Sequence, residues 1–209
     1  HFTVEDEIIT ADPITTMQVK GGAMFNVNDD MSVFFNTGMV EKAPIMDNVI
    51  YYDGTVATDP SNEQFLHNEF GVNYKFGKLG LNASAYNTDW KDRNLTKSVT
   101  TGQGDSGDTD IIFLTGVNQK HSGVELETNY MVNDMLDLMF VASFGSWKFD
   151  GDANGNYQET EYNSEGQAIG FETTEYTYAL DGLYVGDMPQ TAYVLGVTLK
   201  PVKGLMVQA

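Results

Sequence analysis

The sequence predicts an all-β protein: an antiparallel, up-and-down transmembrane β-barrel, about eight strands of which lie in this chain. Three observations predict it. Polar and apolar residues alternate with period two through most of the 209 residues. The alternating segments are joined by connections that are short and long in strict turn. Charge is concentrated in the long connections.

The strands fall near 16–27, 31–39, 63–76, 79–91, 118–131, 135–148, 190–200 and 205–209. In the third, Phe70, Val72, Tyr74 and Phe76 share one face and Glu69, Gly71, Asn73 and Lys75 the other. In the fourth, Leu79, Leu81, Ala83 and Ala85 alternate with Gly80, Asn82, Ser84 and Tyr86. The fifth sets Val124, Leu126 and Tyr130 against Gly123, Glu125, Glu127 and Asn129. The sixth aligns Leu136, Leu138, Phe140, Ala142 and Phe144; the seventh aligns Tyr193, Leu195, Val197 and Leu199. The first is the weakest, with Val19, Ala23, Phe25 and Val27 on its apolar side.

Short connections fall at Asn28-Asp29-Asp30, Gly77-Lys78, Asn133-Asp134 and Pro201-Val202-Lys203-Gly204. Asn, Asp and Gly suit the positive φ of tight hairpins. Long connections occupy 40–62, 92–117 and 149–189, and 1–15 is read as the tail of another. In a meander, alternate connections lie at opposite ends, so one end carries tight turns and the other long loops. Outer-membrane barrels have this pattern, with short turns in the periplasm and long loops outside the cell. A soluble β-sandwich also alternates in polarity, but its loops seldom sort by parity in this way.

The net charge of −19 argues against nucleic-acid binding. The four long segments hold 21 of the 30 acidic residues and three of the 11 basic ones, so the loop end carries nearly all of it. That concentrates a negative field at the barrel mouth. There is no cysteine, which excludes disulfides and thiolate metal sites. No run is long enough for a membrane helix, but barrel strands of about 9–11 alternating residues are hidden by hydropathy averaging.

The chain opens at His1 without an initiator Met or a signal-peptide pattern, and Leu205–Ala209 reads as mid-strand. We therefore expect an excerpt, one partial barrel domain over 1–209. Its two open edges and apolar outer face predict that it does not fold alone as a monomer.

Enzymatic signals are poor: no Ser-His-Asp order, HExxH or phosphate loop is present. The candidate ligand contacts are residues whose parity sets them toward the lumen. His67 shares parity with Glu69, and His121 with Glu125 and Glu127, whereas His1 stands apart. These polar residues also suit packing of a barrel wall against a plug. Trp90 and Trp147 sit at the loop ends of their strands, where an interfacial aromatic girdle is expected, but with inward parity. Either a β-bulge turns them outward or they line the lumen. A calcium loop is a further candidate. Asp150, Asp152, Asn154, Gly155, Asn156 and Glu161 match the spacing of an EF-hand loop, which supplies side-chain oxygens, a carbonyl at Asn156 and a bidentate Glu161 to Ca2+. No flanking helices are predicted, and a solvated, turn-rich loop explains the same residues.

Several stretches resemble TonB-dependent outer-membrane receptors, especially those of Bacteroidetes-type bacteria. They are Phe34-Phe35-Asn36-Thr37-Gly38 with Ala43-Pro44; Asn62-Glu63 leading to Glu69–Tyr74; Leu81–Arg93; Gly116-Val117-Asn118 through Ser122–Glu127; and Gly182–Thr191. The resemblance covers most of the chain and rests on the order and spacing of motifs that are each weak alone. It implies the later part of a barrel of roughly 22 strands with a plugged lumen, and that the plug, the TonB-box segment and the C-terminal strand lie outside this chain. It also implies a function: binding a scarce nutrient (an iron chelate, cobalamin, a glycan or a peptide) at the outer face and importing it into the periplasm. The implied partners are the TonB energy-transducing complex, acting through the plug, outer-membrane lipid and a surface lipoprotein. Two alternatives stay open, a calcium-dependent cell-surface binding module and a passive porin-like barrel. An upstream plug, purification without detergent, and conductance without a plug would respectively mark the receptor, the module and the porin.

Overall fold

A computed structural model describes residues 2–4, 7–51, 54–58, 60–101, 108–186 and 188–209; His1 and Asp187 lie outside them. The strands are β1 (Phe2–Val4), β2 (Glu7–Ile9), β3 (Gln18–Asn26), β4 (Met31–Lys42), β5 (Glu63–Phe76), β6 (Leu79–Thr101), β7 (Asp108–Asn133), β8 (Leu136–Phe149), β9 (Ala153–Tyr162), β10 (Ala168–Tyr178), β11 (Thr191–Val202) and β12 (Leu205–Gln208).

The wall is one antiparallel row, β12-β11-β8-β7-β6-β5-β4-β3. Its eight strands are the eight expected from the alternation. β3 and β12 stand at the ends of the row, and the described residues do not close it into a ring. The tight turns lie together at one end. Gly77 and Gly204 take the positive φ their hairpins need, 57° and 89°. Asn28 and Asn133 accept the backbone N–H two residues on, both at 2.9 Å.

The register places each apolar set on one continuous face. Phe35, Phe70 and Ala85 are directly paired in turn, as are Ala85 with Val124 and Val124 with Phe144. A second row joins Leu126, Ala142 and Tyr193. This face is bare: Phe76 is 68% exposed and Leu195 79%. In water such a surface would drive aggregation, whereas in lipid it is the outward band of a barrel, roughly 25 Å tall. The opposite face is polar. Asn82 donates to Asn73 at 2.6 Å and Asn73 to Ser32 at 3.3 Å, a ladder across three strands.

At the loop end the structure extends the predicted strands. The connection expected over 92–117 is largely strand, because β6 continues to Thr101 and β7 begins at Asp108. A break follows Trp90: the register shifts between Trp90 and Arg93, and Asp92 adopts φ 55°. Beyond it, pairing resumes from Leu95 opposite Leu114 to Thr101 opposite Asp108, a stretch in which the β-branched Thr96, Val99, Thr100, Thr101, Ile111 and Ile112 favour strand. The 149–189 segment likewise contains the β9–β10 hairpin, and β9 pairs the upper part of β7. The segment 1–15 holds the small β1–β2 hairpin. Polar composition made these stretches look like loops. Most of them pair as local hairpins whose polar residues blur the period-two alternation, and only the pairing of β9 with β7 joins remote residues.

The buried apolar residues, Val49, Ile50, Phe113, Val117, Ala142 and Ala153, lie mostly at this loop end. The β4–β5 connection, with a 3-10 turn at Met46–Asn48, crosses to β7, where Tyr51 meets Phe113 edge-on at 6.5 Å.

Candidate ligand shelf on the inner wall

Register settles which way the two tryptophans point. β6 and β7 pair without a break from Leu79 to Trp90, and β7 and β8 from Gln119 to Met131. No bulge intervenes, so Trp90 and Trp147 stay on the face of Ser84, Gly123 and Glu125, the inner one.

There they tile with other rings across four neighbouring strands. Phe65 and Trp90 lie 4.5 Å apart, Trp90 and His121 6.3 Å, and His121 stacks on Trp147 at 5.4 Å with 17° between planes. His67 stacks on Tyr86 at 6.4 Å, one step nearer the turns. Such contacts contribute about 0.5–1.5 kcal/mol each beyond their buried area. Both indole N–H groups are engaged within the wall. Trp90 donates to Glu63 at 3.1 Å and Trp147 to the Tyr86 hydroxyl at 2.9 Å. Arg93 lies over the Trp90 ring at 4.2 Å. The rings are therefore packed against one another and against Arg93, with their polar edges occupied.

The bed beneath is glycine. Gly123 and Gly145 face each other across β7 and β8. A Cβ on Gly123 would stand 2.6 Å from the Tyr86 oxygen, and one on Gly145 would stand 2.8 Å from the Trp147 indole nitrogen. Only residues without a Cβ let the Tyr86–Trp147 bond cross β7.

The remaining predicted contacts are distributed along the same face. His67 bonds Thr88 Oγ1 through Nδ1 at 2.8 Å, and Glu69 accepts from Asn36 at 3.0 Å. Both line a groove of about 750 Å³ with Lys20, Gly38 and Phe65. Glu125, paired with Ser84 and Ser143, is further from the mouth. Glu127, accepting from Asn129 at 3.0 Å, borders a separate concavity of about 1240 Å³ at the turn end. The structure thus gathers His67, Trp90, His121 and Trp147 into one shelf and leaves Glu125 and Glu127 below it.

Sequence reasoning missed Phe65, Glu63, Tyr86, Arg93 and Gln119. Tyr86 had a signal, since it shares parity with Asn82 and Ser84. Glu63 heads its strand and gave none, yet its side chain is 1% exposed, held by Lys42 at 3.1 Å and by the Trp90 N–H.

The calcium geometry does not form. Ala153–Tyr162 is strand, so Asn156 and Glu161 lie on opposite faces and roughly 16 Å apart at about 3.3 Å per residue. The turn falls at Gly151, φ 92°, and Gly155 is within the strand. Asp150 instead pairs Lys120 at 2.8 Å. Asp152 accepts the backbone N–H groups of Leu180 and Asp181, and Asn154 accepts from Thr177. Among the described residues no group of three or more His, Asp or Glu is placed to hold a metal.

A meander with one lipid-type face, one polar face, and turns and loops sorted to opposite ends is the wall of an outer-membrane β-barrel. The family model for the TonB dependent receptor-like β-barrel matches residues 18–205, and the chain belongs to that family. No curated protein and no solved structure matches it. Membership places it with outer-membrane receptors that serve nutrient transport.

Proposed function

We propose that this chain forms part of the wall of an energy-coupled outer-membrane receptor, with its long loops outside the cell. The receptor captures a scarce nutrient at the mouth, and the TonB complex, acting through a plug enclosed by the barrel, drives import into the periplasm. The observation that carries this reading is the ring shelf on the inner face, just inside the loop end. A passive pore needs a polar lumen, but it has no use for four ring side chains locked edge-on by internal hydrogen bonds. A preorganised cluster of rings on the inner wall suits ligand capture, because little ordering remains to be done on binding.

Uptake in cells carrying the receptor tests this. With the proton gradient collapsed by an uncoupler, surface binding of the nutrient should persist while accumulation stops. Accumulation that survives the uncoupler unchanged would mean passive diffusion and would overturn the energy-coupled reading.

A further inference from the structure

The strands do not leave the loop end of the wall unbroken. Four stretches of chain pass from the wall into the extension above it, and each carries a residue of positive φ at the crossing. They are Asp92 (55°) in β6, Gly116 (67°) in β7, Gly151 (92°) before β9 and Gly182 (73°) after β10. The other four described residues of positive φ lie in turns and bends. Pairing changes on the same line. Below it β7 is bonded to β8, from Gln119 to Asn133; above it β7 is bonded to β9, from Ile111 to Thr115. Between the Trp90–Gln119 and Leu95–Leu114 pairs of β6 and β7, Arg93 opposite Val117 is the single match in register. The hydrogen bonds at this level run along the line. Asn118 accepts the N–H of Asp92 through Oδ1 at 3.0 Å and that of Asp150 through its carbonyl at 2.9 Å, and Asp181 accepts that of Gly151 at 2.9 Å. A row of such backbone points with its bonds parallel to it is the geometry of a hinge. A Cβ at Gly116, Gly151 or Gly182 would meet nothing within 4 Å, so packing does not lock these points. Among the described strands β10 is bonded only to β9, which leaves the far edge of the extension free.

We propose that residues 93–101 and 108–115 of β6 and β7, together with β9 and β10, form one lid that turns about Asp92, Gly116, Gly151 and Gly182 and opens and closes the mouth of the barrel. Two long connections that look independent in the sequence move as one body, because β9 is bonded into β7. Arg93 joins that motion to the inner wall. It is the first paired residue beyond the break, and its guanidinium rests on the ring of Trp90, the last paired residue before it. The two stand on the same face, on opposite sides of the line. An outward turn therefore lifts Arg93 off Trp90, and an inward turn seats it. The structure holds the seated position, with Phe113 of the lid edge-on to Tyr51 of the β4–β5 connection as a second stop. Opening the mouth thus uncovers one face of the Trp90 ring on the wall below. The lid needs the barrel wall alone, so it goes beyond the receptor reading and does not depend on energy coupling.

The test uses the whole receptor that carries this chain, reconstituted in bilayers, with any other cysteine replaced. Spin labels at Gln64→Cys on β5 and Glu172→Cys on β10, both exposed positions, report the distance between wall and lid. Two distance populations are expected. Turning takes the hinge residues away from the positive φ of the seated position, which alanine disfavours by about tenfold relative to glycine. Gly116→Ala and Gly182→Ala should each move the ratio away from the seated distance by about that factor. Gly204→Ala, which puts the same strain into the β11–β12 turn at φ 89°, should leave it unchanged. Arg93→Ala should move it about threefold in the same direction as the hinge variants, the loss of one cation–π contact. Fluorotryptophan at Trp90, assigned by Trp90→Phe, should give two fluorine signals in the same ratio as the distances. A single distance in the unaltered receptor would overturn the lid. So would a ratio that Gly116→Ala and Gly182→Ala leave alone, or that Gly204→Ala moves equally. Fluorine signals that do not follow the distances would overturn the link through Arg93. Accumulation that survives the uncoupler would overturn the receptor reading and leave the lid standing, so the two fail separately.

Discussion

Trp147 on β8 donates its indole N–H to the Tyr86 hydroxyl on β6 at 2.9 Å, across the whole width of β7. The bond passes over Gly123, where a Cβ would lie 2.6 Å from the Tyr86 oxygen and 2.8 Å from the Phe144 carbonyl. Gly123→Ala should therefore displace Tyr86 and free the indole. We expect a loss of about 1–3 kcal/mol, as for overpacking elsewhere, and a collapse of the near-ultraviolet circular dichroism from Trp147. Thermal unfolding in micelles, with the dichroism spectrum, checks both. An unchanged spectrum would show that the ring does not depend on this bed.

Glu63 holds the other indole. Glu63→Gln should be mild, because the amide oxygen still accepts from Trp90. Glu63→Leu strands the indole N–H and leaves Lys42 without its carboxylate. Since Lys42 is 54% exposed, water screens most of that loss, and we expect about 1–2 kcal/mol in total. The contrast between the two variants in thermal unfolding is the measurement. Equal effects would mean that charge, not the indole bond, matters at this position.

Much of the fold was legible in the sequence, because a wall with lipid on one side and a polar lumen on the other imposes period two on every strand. Phe70 and Ala85 could be assigned to one face from parity alone, and the register confirms their pairing. Parity also placed Trp90 and Trp147 inward, although girdle expectations pulled the other way, and only the unbroken register decided between them. The extension of β6 to Thr101 was not legible, because Asp92 at φ 55° and the register shifts between Trp90 and Leu95 interrupt the alternation, and the residues beyond them are mostly polar. The oxygen spacing at 150–161 illustrates a related point. A linear pattern of oxygens says nothing about whether the backbone curls around an ion or runs straight, and pairing of β9 with β7 and β10 keeps it straight.

The loop residues have other work, with its own test. Asp152 accepts the N–H groups of Leu180 and Asp181, so Asp152→Ala should loosen the return from β10 toward the wall. Amide hydrogen exchange at Leu180 and Asp181 should quicken, with no change on adding millimolar Ca2+ to the unaltered protein. Protection of 150–161 by Ca2+ would restore the ion-binding loop.

Asp150 sits at the rim, beyond the apolar band, and its hydrogen bond and charge raise the pKa of Lys120 above the ordinary 10.5. A raised lysine pKa contributes stability below its unfolded value and loses it as pH rises through the folded one. Asp150→Asn should bring Lys120 back toward 10.5 and make it react faster with an acylating reagent near pH 9. Reactivity equal in both proteins would show that the pair does not hold in solution.

The wall has two faces, and the absence of cysteine makes them directly measurable, since any introduced thiol is the chain's own single label. Spin labels placed one at a time from residue 79 to 90, in the receptor reconstituted in bilayers, report contact with lipid-dissolved oxygen and with a water-soluble nickel chelate. Oxygen contact should peak at Leu79, Leu81, Ala83 and Ala85, and chelate contact, or burial from both, at Asn82, Ser84 and Tyr86. A profile with no period of two, or with chelate reaching the apolar set, would contradict the barrel wall itself.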